Sequence, residues 1–307
     1  MANKRPNTIT LPVERTGLTV EEAAEGFLER DFSPNTRRNF QADLARFCDS
    51  VGSQPVASLE DVEIKGYLDT LENQRGGKIS PATHNRHFGT LNNLFEWLLR
   101  QGEIGANPMK KLERKRVDER LPRPMTREQI ETFFSRVKAL RERSLFSLLY
   151  LSGLRIDEAL SLDIEDVNLA DGTLRVLGKG GFERTGYLGE ETRPLLRRYL
   201  RSRGNPKSGP LFASRQGRLS YHTVRILFKR YTEGLTVSDG RPLTMHQLRH
   251  TFGSERAGKI DAFVLRDLMG HRSIRTTLQY AKVNPERTRE AFREFDRHET
   301  GKLPNCR

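Results

Sequence analysis

The feature that most constrains this chain is a recurrent helix-start signal, each instance followed by apolar residues at helical rather than alternating spacing. Thr19-Val-Glu-Glu22 is a capping box, in which a threonine hydroxyl and a glutamate three residues on serve each other's free backbone amides. It predicts a helix to about Arg30. Ser33-Pro34 and Ser80-Pro81 each place an N-cap ahead of a proline whose fixed φ suits the first helical position. Behind them, Phe40, Leu44 and Phe47, and then Phe88, Leu91, Phe95 and Leu98, fall on single helical faces. Ser58-Leu-Glu-Asp61 starts another helix with Val62, Leu68 and Leu71 inward, and Gly102 stands where a C-terminal cap belongs. Four such helices predict a small bundle at residues 16–105, behind a polar arm at 1–15 that holds Pro6 and Pro12.

A second set of signals follows. Thr126-Arg-Glu-Gln129 is another capping box, and helical periodicity continues through Leu145, Leu148, Leu149 and Leu151 to a stop at Gly153. Residues 173–177 alternate, turn through Gly178-Lys179-Gly180-Gly181 and return over 182–188, which predicts an antiparallel hairpin with a lysine at its tip. Helices are expected again at about 190–203, 220–233, 244–257, 261–269 and 285–296. The predicted class is therefore mainly α (α+β): a four-helix domain, a basic linker at 106–124, a mostly helical domain at 125–296 with a small antiparallel β-hairpin, and a tail at 297–307.

Charge narrows the function. The 307 residues carry 53 Lys and Arg against 40 Asp and Glu, a net charge of +13, which favours a polyanionic partner such as nucleic acid. The longest apolar stretches, 94–99 and 145–151, fall far short of the roughly 20 residues of a membrane span. With no apolar signal segment at the start, the expectation is a cytoplasmic protein without membrane association. Cys48 and Cys306 read as two unrelated reduced thiols.

The stretch 108–127 holds eight basic residues against three acidic, and Pro122 and Pro124 keep it from forming one helix. It is either a solvated tether or a strap laid along phosphates, with Lys110, Lys111 and Arg114 in contact. Further DNA-contact candidates are Arg37 and Arg38, the run 83–87 read as an exposed helix face that presents Thr83 and Arg86, and Arg225 and Lys229 at helical spacing with His222.

Five short segments of the second domain hold chemically capable residues. In Ser152-Gly-Leu-Arg155-Ile-Asp-Glu158, the arginine and glutamate lie one turn apart, either an ordinary surface ion pair or a carboxylate orienting a guanidinium. Lys179 sits at the hairpin tip. In His246-Gln-Leu-Arg249-His250, an imidazole and a guanidinium share a face. A metal pair of His246 and His250 is disfavoured, because Arg249 lies between them and no adjacent glutamate completes the zinc-protease pattern. Gly270 ends a helix beside His271, and Tyr280 follows nine residues later. At helical spacing, a tyrosine such as this is more often a half-buried core residue than a nucleophile.

In this order, SGLRIDEAL (152–160), GKGG (178–181), HQLRH (246–250), LMGH (268–271) and TTLQY (276–280) resemble the tyrosine recombinase, or phage-integrase, family, with proportions similar to compact Xer-type and transposon integrases. The likeness spans nearly the whole chain, and the predicted bundle is similar to that family's SAM-like core-binding domain. The resemblance implies that Arg155 and Arg249 grip a scissile phosphate, Lys179 protonates the departing 5′ hydroxyl, His246 acts as acid/base and His271 donates to a phosphate oxygen. Glu158 supports Arg155, Tyr280 forms a 3′-phosphotyrosine bond, and His250 is a structural or supporting residue. Where the family often has Thr-His after the tyrosine, this chain has Ala281-Lys282. The resemblance further implies a homo-tetramer on two paired double-stranded recombination sites, an accessory or partner recombinase, and no cofactor or metal.

The chemistry fits those residue types. Attack on a phosphodiester places extra negative charge on its nonbridging oxygens, which two guanidiniums and an imidazole stabilise without a metal. Exchanging a phosphodiester for a phosphotyrosine conserves the bond energy, so rejoining needs no ATP. The sequence contains no G-x-x-x-x-G-K-[ST] loop. Alternatives are a type IB-like topoisomerase, which needs no paired sites, and a non-catalytic sequence-specific DNA-binding protein.

Overall fold

The computed structural model describes residues 17–73, 76–117, 121–178, 181–281 and 293. The chain divides into two compact units, Met1–Glu119 and Arg120–Arg307. The expected arm at 1–15, Lys179, the helix at 285–296 and the tail at 297–307 fall outside the described residues, residue 293 apart.

The first unit holds α1 (Val20–Leu28), α2 (Pro34–Val51), α3 (Asp61–Thr70) and α4 (Pro81–Gln101). Three of the four starts use the expected caps. Thr19 and Glu22 form the capping box, and the hydroxyls of Ser33 and Ser80 accept from the amides of Thr36 and Thr83. The third start differs: Ser58 lies in a 3-10 turn, Val56–Ser58, and Glu60 with Glu63 forms the box that opens α3. Gly102 ends α4 at φ +80, a left-handed position that glycine adopts without steric cost. Phe27, Phe47, Ile64, Leu91, Leu94, Phe95 and Leu98 interlock at the centre.

Two expectations need correction here. The face at 83–87 is not wholly exposed, because His84 and His87 are buried. His87 belongs to an interior polar network around buried Asp43, which also accepts from Arg86 and, at 2.8 Å, from the Thr90 hydroxyl; Tyr67 joins through its hydroxyl at 3.1 Å from His87 Nδ1. Nor is the first part of the basic stretch an extended tether. Residues Pro108–Lys111 form a 3-10 turn that buries Met109 in the bundle core. Lys110 pairs with Glu96 at 2.7 Å, Lys111 with Asp61 at 2.9 Å, and Arg114 lies over the Phe88 ring.

The second unit contains α5 (Arg127–Arg136), α6 (Leu140–Ser152), α7 (Ile156–Ser161), α8 (Thr192–Ser202), α9 (Tyr221–Tyr231), α10 (His246–Arg256), α11 (Ala262–Met269) and α12 (Ile274–Ala281). The run from 126 to 153 is thus two helices. The break at 137–139 is stabilised by Arg143, which donates to the free carbonyls of Phe134 and Val137. Strands β1 (Val167–Asn168), β2 (Thr173–Leu177) and β3 (Glu183–Tyr187) form an antiparallel sheet in that order, with Leu174 opposite Gly186 and Val176 opposite Arg184. A second hairpin pairs β4 (Ala213–Ser214) with β5 (Gly217–Arg218).

Beyond its charged first turn, helix α6 is buried on nearly every side, which is why residues 144–152 are apolar or small apart from Tyr150 rather than striped. Phe133 of α5, Phe146 of α6 and Phe228 of α9 pack ring to ring at 5.2–5.7 Å. A smaller cluster of Phe252, Ala257, Leu265, Met269 and Tyr280 joins α10, α11 and α12. The mainly α architecture with small antiparallel sheets is the expected one.

Candidate active site

The turn between α6 and α7 is built by Gly153, at φ +63. Arg155 follows as the residue before α7, and Glu158 reaches back from the first turn. Its two carboxylate oxygens accept from the Arg155 backbone amide at 2.9 Å and the Arg155 guanidinium at 2.7 Å. Glu158 is only 6 % exposed, so this is not the ordinary surface pair. The same carboxylate accepts from Arg184 of β3 at 2.9 Å. Arg155 also donates to the carbonyl of Gly270 at 2.9 Å, tying the start of α7 to the end of α11.

Arg249 lies on the inner face of α10 and is 2 % exposed. Its guanidinium donates to the carbonyls of Gly153, the residue that follows α6, and Met269, the last residue of α11. Those carbonyls have no intrahelical partner, and a planar fork can satisfy both at once. Burial, and then the charge of Arg155, lowers the Arg249 pKa to about 10. It remains a cation at neutral pH.

Tyr280 enters from α12. It is 2 % exposed, and its ring lies against Gly253 of α10, where an added Cβ would stand 2.8 Å from two ring carbons. A glycine is required there by close approach alone. The phenolic oxygen is 3.0 Å from His250 Nδ1, and the ring stacks parallel to His271 at a centroid separation of 6.3 Å. Burial raises the phenol pKa to about 12, against the opposing pull of Arg249 and Arg155.

Three imidazoles surround this pocket. His271 holds Thr277 Oγ1 at 2.9 Å, and His246 packs edge-on to His250 with centroids 4.3 Å apart. Burial first, and then the neighbouring arginines and histidines, pushes His271 to about 3; burial, His246 and Arg249 push His250 to about 4. His246 has solvent access at the start of α10, yet desolvation by its neighbours, followed by Arg249 and Arg155, also holds it below the ordinary range. At neutral pH all three are therefore uncharged, so the positive charge of the pocket comes from its arginines.

The geometry brings Arg155, Glu158, His246, Arg249, His271 and Tyr280 together from α7, α10 and the α11–α12 corner. Lys179 lies outside the described residues. Arg225 and Lys229 are elsewhere, exposed on α9 opposite buried Val224 and Phe228. In the first unit, Arg37 donates to the carbonyls of Leu28 and Arg30, Arg38 reaches Asn35 at 3.4 Å, and Thr83 serves the N-cap of α4. The sequence singled out every member of this pocket except Arg184, which was readable as a charged residue on the inward-facing side of an alternating strand; His250, expected as a structural or supporting residue, stands one helical turn beyond His246 against the Tyr280 hydroxyl.

The model of the phage integrase family matches residues 123–287, and that of the phage integrase N-terminal SAM-like domain matches residues 26–102. The chain belongs to the phage integrase family. It is 31 % identical over 277 residues to tyrosine recombinase XerC of Pelobacter propionicus, covering 86 % of this chain and 90 % of the relative. It is 29 % identical over 304 residues to tyrosine recombinase XerD of Ralstonia nicotianae, covering 94 % and 97 %. The fold is shared with the Tn1549 transposon integrase in complex with transposon right end DNA (TM-score 0.72, 20 % identity, 91 % of this chain and 99 % of that one). It is also shared with XerH site-specific recombinase bound to a palindromic difH substrate (TM-score 0.69, 21 % identity, 90 % and 85 %). The family assignment makes this chain a site-specific tyrosine recombinase, an enzyme of DNA strand exchange. Among the described residues, no helix is long and apolar enough to cross a membrane.

Proposed function

We propose that Tyr280 is the nucleophile of this recombinase and that Arg155 and Arg249 bind the scissile phosphate. The observation that carries this reading is the Tyr280 hydroxyl, held by His250 in a pocket where two arginines act on its charge. In the reaction the phenolic oxygen forms a bond to phosphorus, the bond from phosphorus to the 5′ oxygen breaks, and the 5′ oxygen leaves as a hydroxyl after gaining a proton. Lys179 supplies that proton in this reading, as its resemblance to the family lysine implies.

Each described side chain has a distinct task. Arg249, fixed by two helix-end carbonyls, and Arg155, fixed by Glu158, offer their remaining N–H groups to the nonbridging oxygens and stabilise the charge that grows there. Neutral His271 and His246 donate to the same oxygens. His250 accepts the phenolic proton's hydrogen bond and holds the nucleophile in place. Arginine charge favours the phenolate that burial opposes, and the phenolic proton passes to its hydrogen-bond partner, His250 Nδ1, as the bond to phosphorus forms.

In this reading the substrate is a pair of double-stranded recombination sites held by four copies of the chain in the cytoplasm, with a partner recombinase or accessory protein setting direction. Support comes from the λ integrase tetramer bound to a Holliday junction, which has the same fold. Arg37, Arg38, Thr83, Arg86, Lys110, Lys111, Arg114, Arg225 and Lys229 are the proposed backbone contacts. The cations among them would neutralise phosphates and release counterions from the DNA, which predicts binding that weakens steeply with salt.

The test starts from DNA recovered covalently attached to the purified protein, which yields the site. A nicked suicide duplex carrying that site should give a 3′ adduct with the wild type and none with Tyr280→Phe. Binding without an adduct in the wild type would refute the catalytic reading, and relaxation of supercoils without a site requirement would replace it with a topoisomerase.

A further inference from the structure

Arg184 stands apart from the expected set of site residues, yet it is tied to that set on two sides. One terminal nitrogen donates to Glu158 at 2.9 Å. The guanidinium lies against Gly270, where a Cβ would collide with Arg184 Nε, while the carbonyl of that glycine accepts from Arg155. Gly270 is held between the two arginines. The side chain is 17 % exposed, and its other terminal nitrogen is buried with no hydrogen-bond partner among the described residues. Burying a cation this way is costly unless it serves a neighbour.

Its neighbour is a carboxylate with a problem. Glu158 is needed to orient Arg155, but its negative charge cancels the positive charge that Arg155 offers to a phosphate. We infer that Arg184 is a positioning residue that offsets the charge of Glu158, leaving Arg155 free to act as a full cation while still oriented by the carboxylate. Counting the four side chains, Arg155, Arg184 and Arg249 against Glu158 leave a net charge of +2. Without Arg184 the sum is +1, and Arg155 with Glu158 is a neutral pair. The mutual influence is already visible in the resting protein: Arg155 and Arg184 each lower the pKa of Arg249, and Glu158 raises it.

The inference rests on the reading of this pocket as the phosphate site, and the experiment separates the two. The readout is the single-turnover rate of adduct formation on the nicked duplex, with DNA affinity and melting temperature measured beside it. Arg184→Gln keeps a donor for Glu158 but removes the charge, and its rate should fall about tenfold or more with little change in affinity. Arg184→Lys, which keeps the charge, should retain more activity than the glutamine variant. Arg184→Gln combined with Glu158→Gln returns the sum to +2 and should recover part of the lost rate. A purely structural role predicts the opposite, since two lost contacts slow the reaction more than one. A wild-type rate in Arg184→Gln, equal rates for the Lys and Gln variants, or a double variant no faster than the single would overturn the inference. If the wild type forms no adduct at all, it is the underlying catalytic reading that fails.

Discussion

Replacing Gly253 with alanine tests the packing of Tyr280, the proposed nucleophile. The new Cβ would stand 2.8 Å from Cε1 and Cζ of Tyr280 and 3.0 Å from Cε2. Carbon atoms rest at about 3.5–4.0 Å, so the ring must retreat by roughly 0.7 Å or α10 must bend. The ring has no slack, because it is buried, stacked on His271 and held through its hydroxyl by His250. Overpacking of this kind costs about 1–3 kcal/mol. For a unit of this size each kcal/mol lowers the melting temperature by about 2–4 °C, giving a drop of about 2–12 °C. Displacing a reacting group on this scale slows chemistry about a hundredfold. The assays are a thermal melt and the single-turnover adduct rate. Gly253→Ala combined with Tyr280→Ala should recover stability relative to the sum of the single effects, because the clash has lost its partner. A variant that melts and cleaves like the wild type, or a double variant that is merely additive, would refute the packing argument.

Gly66, in contrast, faces open space on α3 without a positive φ, so Gly66→Ala should raise stability by about 0.5–1 kcal/mol, read as a higher urea midpoint. Asp43→Ala should destabilise the first unit by about 3 kcal/mol, because Arg86, Thr90 and His87 lose a buried partner; an unchanged melt would remove the network from the account. The histidines predict an acid-sensitive second unit. His250 and His271 sit at about 4 and about 3 in the fold, against roughly 6.5 when unfolded, so below pH 6.5 the unfolded chain binds protons that the folded one refuses. Stability present at pH 7 should fall as the pH drops from 6.5 towards 4, by about 2 kcal/mol per histidine at pH 5. Melts at pH 7, 6 and 5 should show the loss, and His250→Gln should reduce it.

The helix starts were legible because a cap is a local device: the serine or threonine and its partner lie within three residues. The third start misled because Ser58 and Glu60 both fit the pattern, and only the 3-10 turn at Val56–Ser58 decides between them. Two-residue strands such as β4 and β5 have no period to detect. His87 looked exposed because its burial depends on Asp43 and Tyr67, which lie far away in sequence. In the candidate pocket, spacing alone made Tyr280 a core residue, and it is indeed buried like one; only the ordered resemblance singled it out as a nucleophile. Arg184 escaped notice because its partners, Glu158 and Gly270, belong to other elements, although its place on the inward side of β3 was a signal.

The most direct measurement is peptide mapping of the covalent complex by mass spectrometry after nuclease and protease digestion. The account predicts a nucleotide attached through the phenolic oxygen of Tyr280 at the 3′ side of the break, and none in Tyr280→Phe. An adduct on another residue, or one that persists in Tyr280→Phe, would contradict it.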